Sequence, residues 1–312
     1  MARYLITGGA GFIGSNLAWA LVARGDEVRV LDNFSTGREA NLRGLEGRIG
    51  LFRGDITDAA VLESAMDGVD FVLHEAALPS VPRSIERPLD CDRVNVHGTV
   101  MVLDAARRKG VRRVVFAASS SAYGETPTLP KVETMGPAPL SPYAASKLAG
   151  EHYCQVFHKC YGLETVALRY FNVFGPRQDP TSQYAAVIPN FVRAALTGGE
   201  PLIYGDGQQS RDFCYIENCV EANLLACTAP GAAGQVFNVA CAERTTLLDV
   251  VNGLSEIVGR PLKPQHAPAR AGDIKHSLAD ITRAREILGY TGKIRFAEGL
   301  RRTVDWYRAQ HG

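Results

Sequence analysis

The run Tyr4-Leu5-Ile6-Thr7 leads without a break into Gly8-Gly9-Ala10-Gly11-Phe12-Ile13-Gly14. No other stretch narrows the choice of fold as much. A short apolar strand, glycines at intervals of three, and then the helical pattern Ile13–Arg24 define a strand–turn–helix. Gly8 permits the sharp turn, Gly11 lets backbone approach a pyrophosphate, and Gly14 lets the helix pack on the strand. The helix N-terminus then offers free N–H groups and a positive dipole end to phosphates. The spacing is a tight variant of the three-glycine dinucleotide loop. Asp32, closing the second strand, stands where a carboxylate accepts ribose hydroxyls and repels a 2′-phosphate, which favours NAD over NADP. Arg38, in the loop that follows, would tolerate that phosphate.

Downstream, short apolar runs alternate with amphipathic segments. Strands are expected at Tyr4–Thr7, Glu27–Leu31, Gly50–Arg53, Phe71–His74, Arg113–Ala118 and Thr165–Phe171. Helices are expected at Val94–Lys109 and over 141–160, ending near Gly162. This rhythm predicts an α/β fold with a parallel sheet covered on both faces, because the strands are apolar throughout. Asp55 closes the third strand where adenine would lie, and Ala76 and Ala77 close the fourth, where small side chains let a cofactor pass. After Gly175 the rhythm loosens. Ala186–Thr197, Leu247–Val258, Ile281–Leu288 and Phe296–His311 read as helices, and Arg211–Ile216 and Val236–Val239 as late strands. A doubly wound domain is therefore expected over 1–175, with a return around 211–240. A smaller mixed α/β domain is expected over 176–210 and 241–312.

Composition excludes several classes. A chain of 312 residues, 46% hydrophobic and 21% charged, suits a globular enzyme. Its net charge of +1 gives no field to attract nucleic acid or an anionic membrane. No stretch is long and apolar enough to span a bilayer, and the N-terminal strand leaves no room for a signal peptide, so a cytoplasmic enzyme is expected. The seven cysteines are odd in number and scattered, which argues for reduced thiols, mostly buried. The seven histidines show no metal-ligand spacing, so no metal is expected. Asn33-Phe34-Ser35 matches a glycosylation sequon by chance.

Tyr143 and Lys147 in LSPYAASKLAGEHY lie one helical turn apart and share a face. Ser141-Pro142 begins that helix with a hydroxyl cap and a proline at a position where the missing N–H costs nothing. Ser119 opens a serine run at the end of the fifth strand.

The glycine loop, Asp32, Asp55, Ser119–Gly124 and Tyr143-x-x-x-Lys147 together resemble an extended short-chain dehydrogenase/reductase, with a Rossmann-type doubly wound sheet. The resemblance is closer to the NAD-dependent nucleotide-sugar 4-epimerases and runs over essentially the whole chain. It implies an isomerase acting on a UDP-sugar, with NAD held by Gly8, Gly11, Phe12, Ile13, Asp32, Asn33, Asp55, Ile56, Ala76, Ala77, Tyr143 and Lys147. It also implies that Ser119, Tyr143 and Lys147 are catalytic. A free tyrosine, with pKa near 10, is a poor base at neutral pH. Lys147 and a positive nicotinamide would both favour its phenolate, which would take the proton from the sugar hydroxyl while C4 gives hydride to NAD. The 4-keto sugar would then turn about its phosphate linkage and receive the hydride on its other face.

Three segments, RYFNVFGPRQ, GDGQQSRDF and RAGDIKHSLAD, are similar to the UDP-sugar-contacting parts of those enzymes. They imply that Asn172, Arg211 and Arg270 hold the diphosphate, guanidinium being a bidentate donor to anions. Tyr204 would stack on uracil and Asp273 contact the ribose, while Ser121, Ala186, Val187 and Ser277 would line the sugar site. A large aromatic at the Ser277 position would confine the site to plain hexoses, whereas serine leaves room for an N-acetyl group. UDP-GlcNAc/UDP-GalNAc, with UDP-Glc/UDP-Gal also accepted, is the expected pair. UDP-glucuronate is the alternative. Pro79 would line the same region. A 4,6-dehydratase or decarboxylase would need a carboxylate where Ser120 and Ser121 stand. An NAD-binding sensor would be expected to lack Tyr143 or Lys147, and a reductase releasing reduced cofactor would show net nicotinamide turnover. The resemblance further implies a homodimer paired through 92–109 and 142–160.

Overall fold

The computed structural model describes residues 1–180, 186–269 and 275–311. Seven parallel strands form the central sheet: β1 (Arg3–Thr7), β2 (Glu27–Asp32), β3 (Ile49–Arg53), β4 (Phe71–His74), β5 (Arg113–Ser119), β6 (Glu164–Tyr170) and β11 (Gln235–Val239). Their order is β11-β6-β5-β4-β1-β2-β3. The winding reverses between β1 and β4, so a crevice opens beyond the carboxyl ends of those two strands, where ligands bind in such sheets. The expected Rossmann-type sheet is therefore present.

Apolar strands demand cover on both faces, and alternation divides β1 between them. Ile6 joins a core with Leu17, Leu21 and Phe237 beneath α1 (Phe12–Arg24) and α8 (Ile216–Thr228). Leu5 joins Val72, Leu103 and Phe116 on the other face, beneath α2 (Ala59–Ala65), α5 (Gly98–Arg108) and α6 (Pro142–Tyr161). Two short helices, α3 (Val81–Glu86) and α4 (Pro88–Asp92), follow β4 and pack on α6. The remaining elements are β7 (Val173–Phe174), α7 (Val187–Leu196), β8 (Leu202–Tyr204), β9 (Ser210–Arg211), β10 (Cys214–Tyr215), β12 (Thr245–Thr246), α9 (Leu247–Val258), β13 (Gln265–Ala267) and α10 (Phe296–His311). They form three two-stranded ladders beside helices α7, α9 and α10.

Several expectations need correction. Arg211–Ile216 is not one strand: β9 and β10 bracket Asp212, and Ile216 starts α8. That helix has no counterpart in the sequence reading, because Ile216, Val220, Ala222 and Ala226 are buried with Asn218 and Asn223, which blurs its polar face. Ile281–Leu288 is helical from Thr282, but its stretch Ala284–Leu288 is wound as a π-helix. Asp55, Ala76 and Ala77 lie in the loops just beyond β3 and β4. Six of the seven cysteines are buried, Cys160 is exposed, and all are free. No helix is long and apolar enough to cross a membrane, and no group of metal-binding side chains occurs, among the described residues.

Candidate active site

Close backbone packing shapes the crevice. Gly8 sits at φ +69°, and a Cβ there would fall 2.7 Å from the Ala76 Cα. A Cβ on Gly14 would fall 2.3 Å from the Gly8 carbonyl oxygen. The glycine loop therefore lies bare against β1 and the end of β4, and a cleft of about 580 Å³ opens over it. The walls include Gly8, Gly11, Phe12, Ile13, Asp32 and Asn33. Asp55, Ile56, Ala76 and Ala77 also face it, so ten of the twelve residues expected to hold a cofactor share one concavity, while Tyr143 and Lys147 are not on its wall.

The Asp32 carboxylate accepts the Ala10 N–H at 2.8 Å and the Phe34 N–H at 2.7 Å. Burial raises its pKa and these two bonds oppose the rise. Each oxygen keeps further lone pairs, and Asp32 lies on the cleft wall. Asp55 accepts the Thr57 N–H and hydroxyl and the Asn33 amide, at 2.9, 2.8 and 2.8 Å. Burial pulls its pKa up, but those bonds and the nearby Arg93 bring it below the usual range. The Arg38 guanidinium is engaged by Asp179 at 2.5 Å, so its charge is already partly compensated.

Ser141 caps α6 by accepting the Ala144 N–H at 3.1 Å. The Tyr143 N–H donates to Ser84 Oγ at 3.1 Å. A Cβ on Gly150 would strike the Phe116 ring at 2.5 Å, so this glycine lets α6 lie tight on β5. That contact brings Tyr143 and Lys147 to the Ser119 end of the strand. Lys147 Nζ donates to the Ala117 carbonyl at 2.8 Å and rides 5.0 Å above the Phe116 ring. Ser119 accepts from Ser121 Oγ at 2.8 Å, and its hydroxyl pulls the Tyr143 pKa down against burial. Ser121 thus lies against Ser119, and α6 carries Tyr143 and Lys147 beside the strand that ends in Ser119. The electrostatics differ from expectation. Burial raises the Tyr143 pKa, with the Ser119 hydroxyl opposing, so Lys147 does not draw the phenol down in the protein alone. Burial also lowers the Lys147 pKa, against the pull of Glu75.

The substrate-side residues gather on a second scaffold. The Ser277 N–H donates to the Ser210 carbonyl at 3.0 Å, and the Arg211 guanidinium donates to the Ser210 and Lys275 carbonyls at 3.0 and 3.3 Å. Asn172, at φ +33°, donates to the Asp212 carbonyl at 3.3 Å. The Tyr204 carbonyl accepts the Gln209 amide at 2.6 Å. Of these residues, Ala186, at the N-cap of α7, is on the wall of the cofactor cleft, as is Pro79; Tyr204, Arg211 and Ser277 are not. Val187 opens α7. Arg270 and Asp273 lie outside the described residues.

Sequence reasoning missed Asp212 and Glu75. Asp212 is fully buried. It accepts the Cys241 and Ala279 N–H groups at 2.9 and 3.1 Å, and burial lifts its pKa to about 6. Glu75 lies on the cleft wall and accepts the Tyr170 hydroxyl at 2.8 Å. The only sequence signal for either is a carboxylate beside apolar strand residues, which chance also produces.

The family model described as the NAD dependent epimerase/dehydratase family matches residues 4–240. The chain belongs to that family. It is 40% identical over 310 residues, 98% of each chain, to the UDP-glucose 4-epimerase of Mycolicibacterium smegmatis. The UDP-N-acetylglucosamine 4-epimerase from Methanobrevibacter ruminantium, solved with UDP-N-acetylmuramic acid, superposes with a TM-score of 0.94 at 40% identity, covering 99% of each chain. A UDP-glucuronic acid 4-epimerase from Bacillus cereus, solved with UDP-glucuronic acid and NAD, superposes at 0.91 with 32% identity and 99% coverage of each chain. The expectation of an NAD-dependent extended short-chain dehydrogenase/reductase of the isomerase class stands. The chain's own residues fit NAD: bare backbone at Gly8 and Gly14, and a carboxylate at Asp32 with lone pairs to spare.

Proposed function

We propose that this chain inverts C4 of UDP-GlcNAc and UDP-GalNAc, accepts UDP-Glc and UDP-Gal as well, and does so by transient oxidation to the 4-keto sugar. The observation that supports the reading is that α6 sets Tyr143 and Lys147 against the Ser119 end of β5, Lys147 Nζ bonding the Ala117 carbonyl. Tyr143 takes the proton of the C4 hydroxyl and returns it on the other face, and Ser119 hydrogen-bonds the same oxygen. Lys147 stands one turn below as the positive group of the site. NAD, when bound, accepts the hydride from C4 and gives it back, so no nicotinamide is consumed. The positive charge it brings would offset the burial that holds the phenol protonated.

The division of labour we propose gives NAD to 1–175 with the return over 211–240, and the UDP-sugar to 176–210 and 241–312. Asn172, Arg211 and Arg270 bind the diphosphate, Tyr204 the uracil and Asp273 the ribose. Ser121, Ala186, Val187 and Ser277 surround the sugar. Choice of the acetylated pair rests on Ser277 and Ala186, both small. A roomy pocket excludes a smaller sugar only weakly, since lost contacts cost about 1–3 kcal/mol. The UDP-glucuronate reading is the second, favoured by the likeness to the Bacillus cereus enzyme. Incubating pure protein separately with UDP-GlcNAc, UDP-Glc and UDP-glucuronate, with no added nicotinamide, tests both. Formation of UDP-GalNAc and UDP-Gal supports the first reading. Conversion of the uronate alone overturns it.

We also propose a cytoplasmic homodimer. Tyr153 and Val156 on α6 leave apolar surface exposed (39% and 46%), as does Leu89 on α4, a helix that packs on α6. Light scattering of the purified protein at micromolar concentration should give twice the chain mass; a monomer would refute the pairing.

A further inference from the structure

The loop after β2 folds over the carboxylate that ends the strand. A Cβ on Gly37 would fall 2.9 Å from both Asp32 oxygens. The next residue is tied to the same place. The Arg38 N–H donates to the Ala10 carbonyl at 2.9 Å, and the Ala10 N–H donates to Asp32 Oδ2 at 2.8 Å. The backbone of Arg38 and the carboxylate of Asp32 thus share one residue of the glycine loop. Asp32 repels a 2′-phosphate there. A guanidinium on the neighbouring loop would offset that repulsion, because it is a bidentate partner for phosphate.

In this chain the guanidinium is already engaged. Arg38 Nη2 meets Asp179 Oδ2 at 2.5 Å, and both residues are on the cleft wall with Asp32. Asp179 comes from the segment after β7, and that segment is fastened independently of Arg38. The Pro176 carbonyl accepts the Asn16 amide at 3.0 Å, and the Arg177 guanidinium donates to Asn16 Oδ1 at 3.0 Å. The Gln178 carbonyl accepts the Tyr307 hydroxyl of α10. The other cations nearby are also occupied. Arg177 lies 5.0 Å above the Trp19 ring. Arg53, beside Asp32 in the sheet, pairs with Glu39 at 2.5 Å and lies over the Phe34 ring. The wall therefore sets two carboxylates, Asp32 and Asp179, against the one guanidinium of Arg38.

We propose that Asp179 is a cofactor-specificity residue. It holds Arg38 in an ion pair and adds a second negative charge on the wall that carries Asp32, so the chain takes NAD and refuses the 2′-phosphate of NADP. The inference rests on the reading of Asp32 as the partner of the adenosine ribose. The test needs no UDP-sugar. Purified protein is incubated with equal NAD and NADP until the bound composition stops changing. Free dinucleotide is removed by gel filtration, the protein is denatured, and both released dinucleotides are quantified by liquid chromatography. Asp179→Asn keeps an oxygen for Arg38 and removes the charge. Its ratio of bound NADP to NAD should rise about tenfold, as expected when a carboxylate charge is taken from beside a phosphate in a partly solvated site. Adding Arg38→Gln to that variant should bring the ratio back near its starting value. An unmoved ratio in Asp179→Asn, including NADP absent from both proteins, would overturn the proposal. So would a rise that survives the added Arg38→Gln. Should Asp179→Asn not fold, Asp179→Ser removes the same charge and should give the same rise; no rise there would overturn the proposal too. Asp32→Asn separates the two readings, since it should raise the ratio on its own. A rise there with none at Asp179 sinks this proposal alone, whereas no change in either variant sinks the ribose reading with it.

Discussion

Lys147 Nζ donates to the Ala117 carbonyl at 2.8 Å, and this bond ties the α6 helix to the strand that delivers Ser119. The ammonium is therefore held by the sheet and its place does not depend on a ligand. Tyr143, four residues earlier on the same helix, inherits that placement.

Tyr143→Phe should lower kcat for 4-epimerisation by about 10²–10⁴-fold, because it removes the proton acceptor and leaves the packing intact. Bound NAD, measured by denaturing the protein and assaying the released dinucleotide, should stay near the wild-type amount. Near-normal turnover would mean that another group takes the proton.

Ser277→Tyr should remove turnover of UDP-GlcNAc while sparing UDP-Glc. A bulk mismatch of this kind is worth roughly 10–200-fold in kcat/KM. Parallel kinetics on both sugars check it, and equal loss or equal survival would sink the gate argument.

Much of this was legible in the chain. Glycines spaced by three, a strand-closing aspartate and apolar runs of strand length each have a local cause, so the sheet and the cofactor cleft could be read directly. The Ser141-Pro142 start and Gly162 stop of α6 were legible for the same reason. Glu75 and Asp212 were not, because what sets them apart is burial and partners distant in sequence: Tyr170, Cys241 and Ala279. Helix α8 escaped because it is wrapped by protein and lacks a clean polar face. The raised pKa of Tyr143 follows from burial, which a spacing of four residues does not report.

His74 is fully buried and neutral, with a pKa pushed down to about 3 by burial and by Lys147. The folded pKa lies below the unfolded one, so its contribution is fully present above about pH 6.5 and is lost as the pH falls towards the folded value. Urea unfolding should show stability dropping by about 2 kcal/mol between roughly pH 6.5 and 5 from this group. His74→Gln should flatten that part of the curve.

The pair between Arg169 and Glu151 is bidentate, at 2.9 and 2.6 Å, with both side chains under 5% exposed. Glu151→Leu would leave a guanidinium buried over the Tyr123 ring without its anion. A loss of about 3–5 kcal/mol is expected in chemical denaturation. Replacing both partners by Met and Leu should cost less than the single change.

Gly14→Ala should cost stability, about 1–3 kcal/mol as for an overpacked core, because its methyl group meets backbone oxygen and cannot move aside. NAD content after purification should fall with it. Full occupancy in the variant would show that the loop yields.

The Asp212 carboxylate receives one N–H from the segment after β11 and another from the segment that carries Ser277. Anyone transplanting specificity between related enzymes inherits this knot. A graft of 275–280 alone sets a foreign turn against the native carboxylate, and a graft of 204–213 alone sets a foreign residue 212 against the native turn, so either can shift the N–H of residue 279 off its partner. Successful chimeras should therefore carry both stretches together, and single-stretch exchanges should report misfolding where a change of sugar preference was sought.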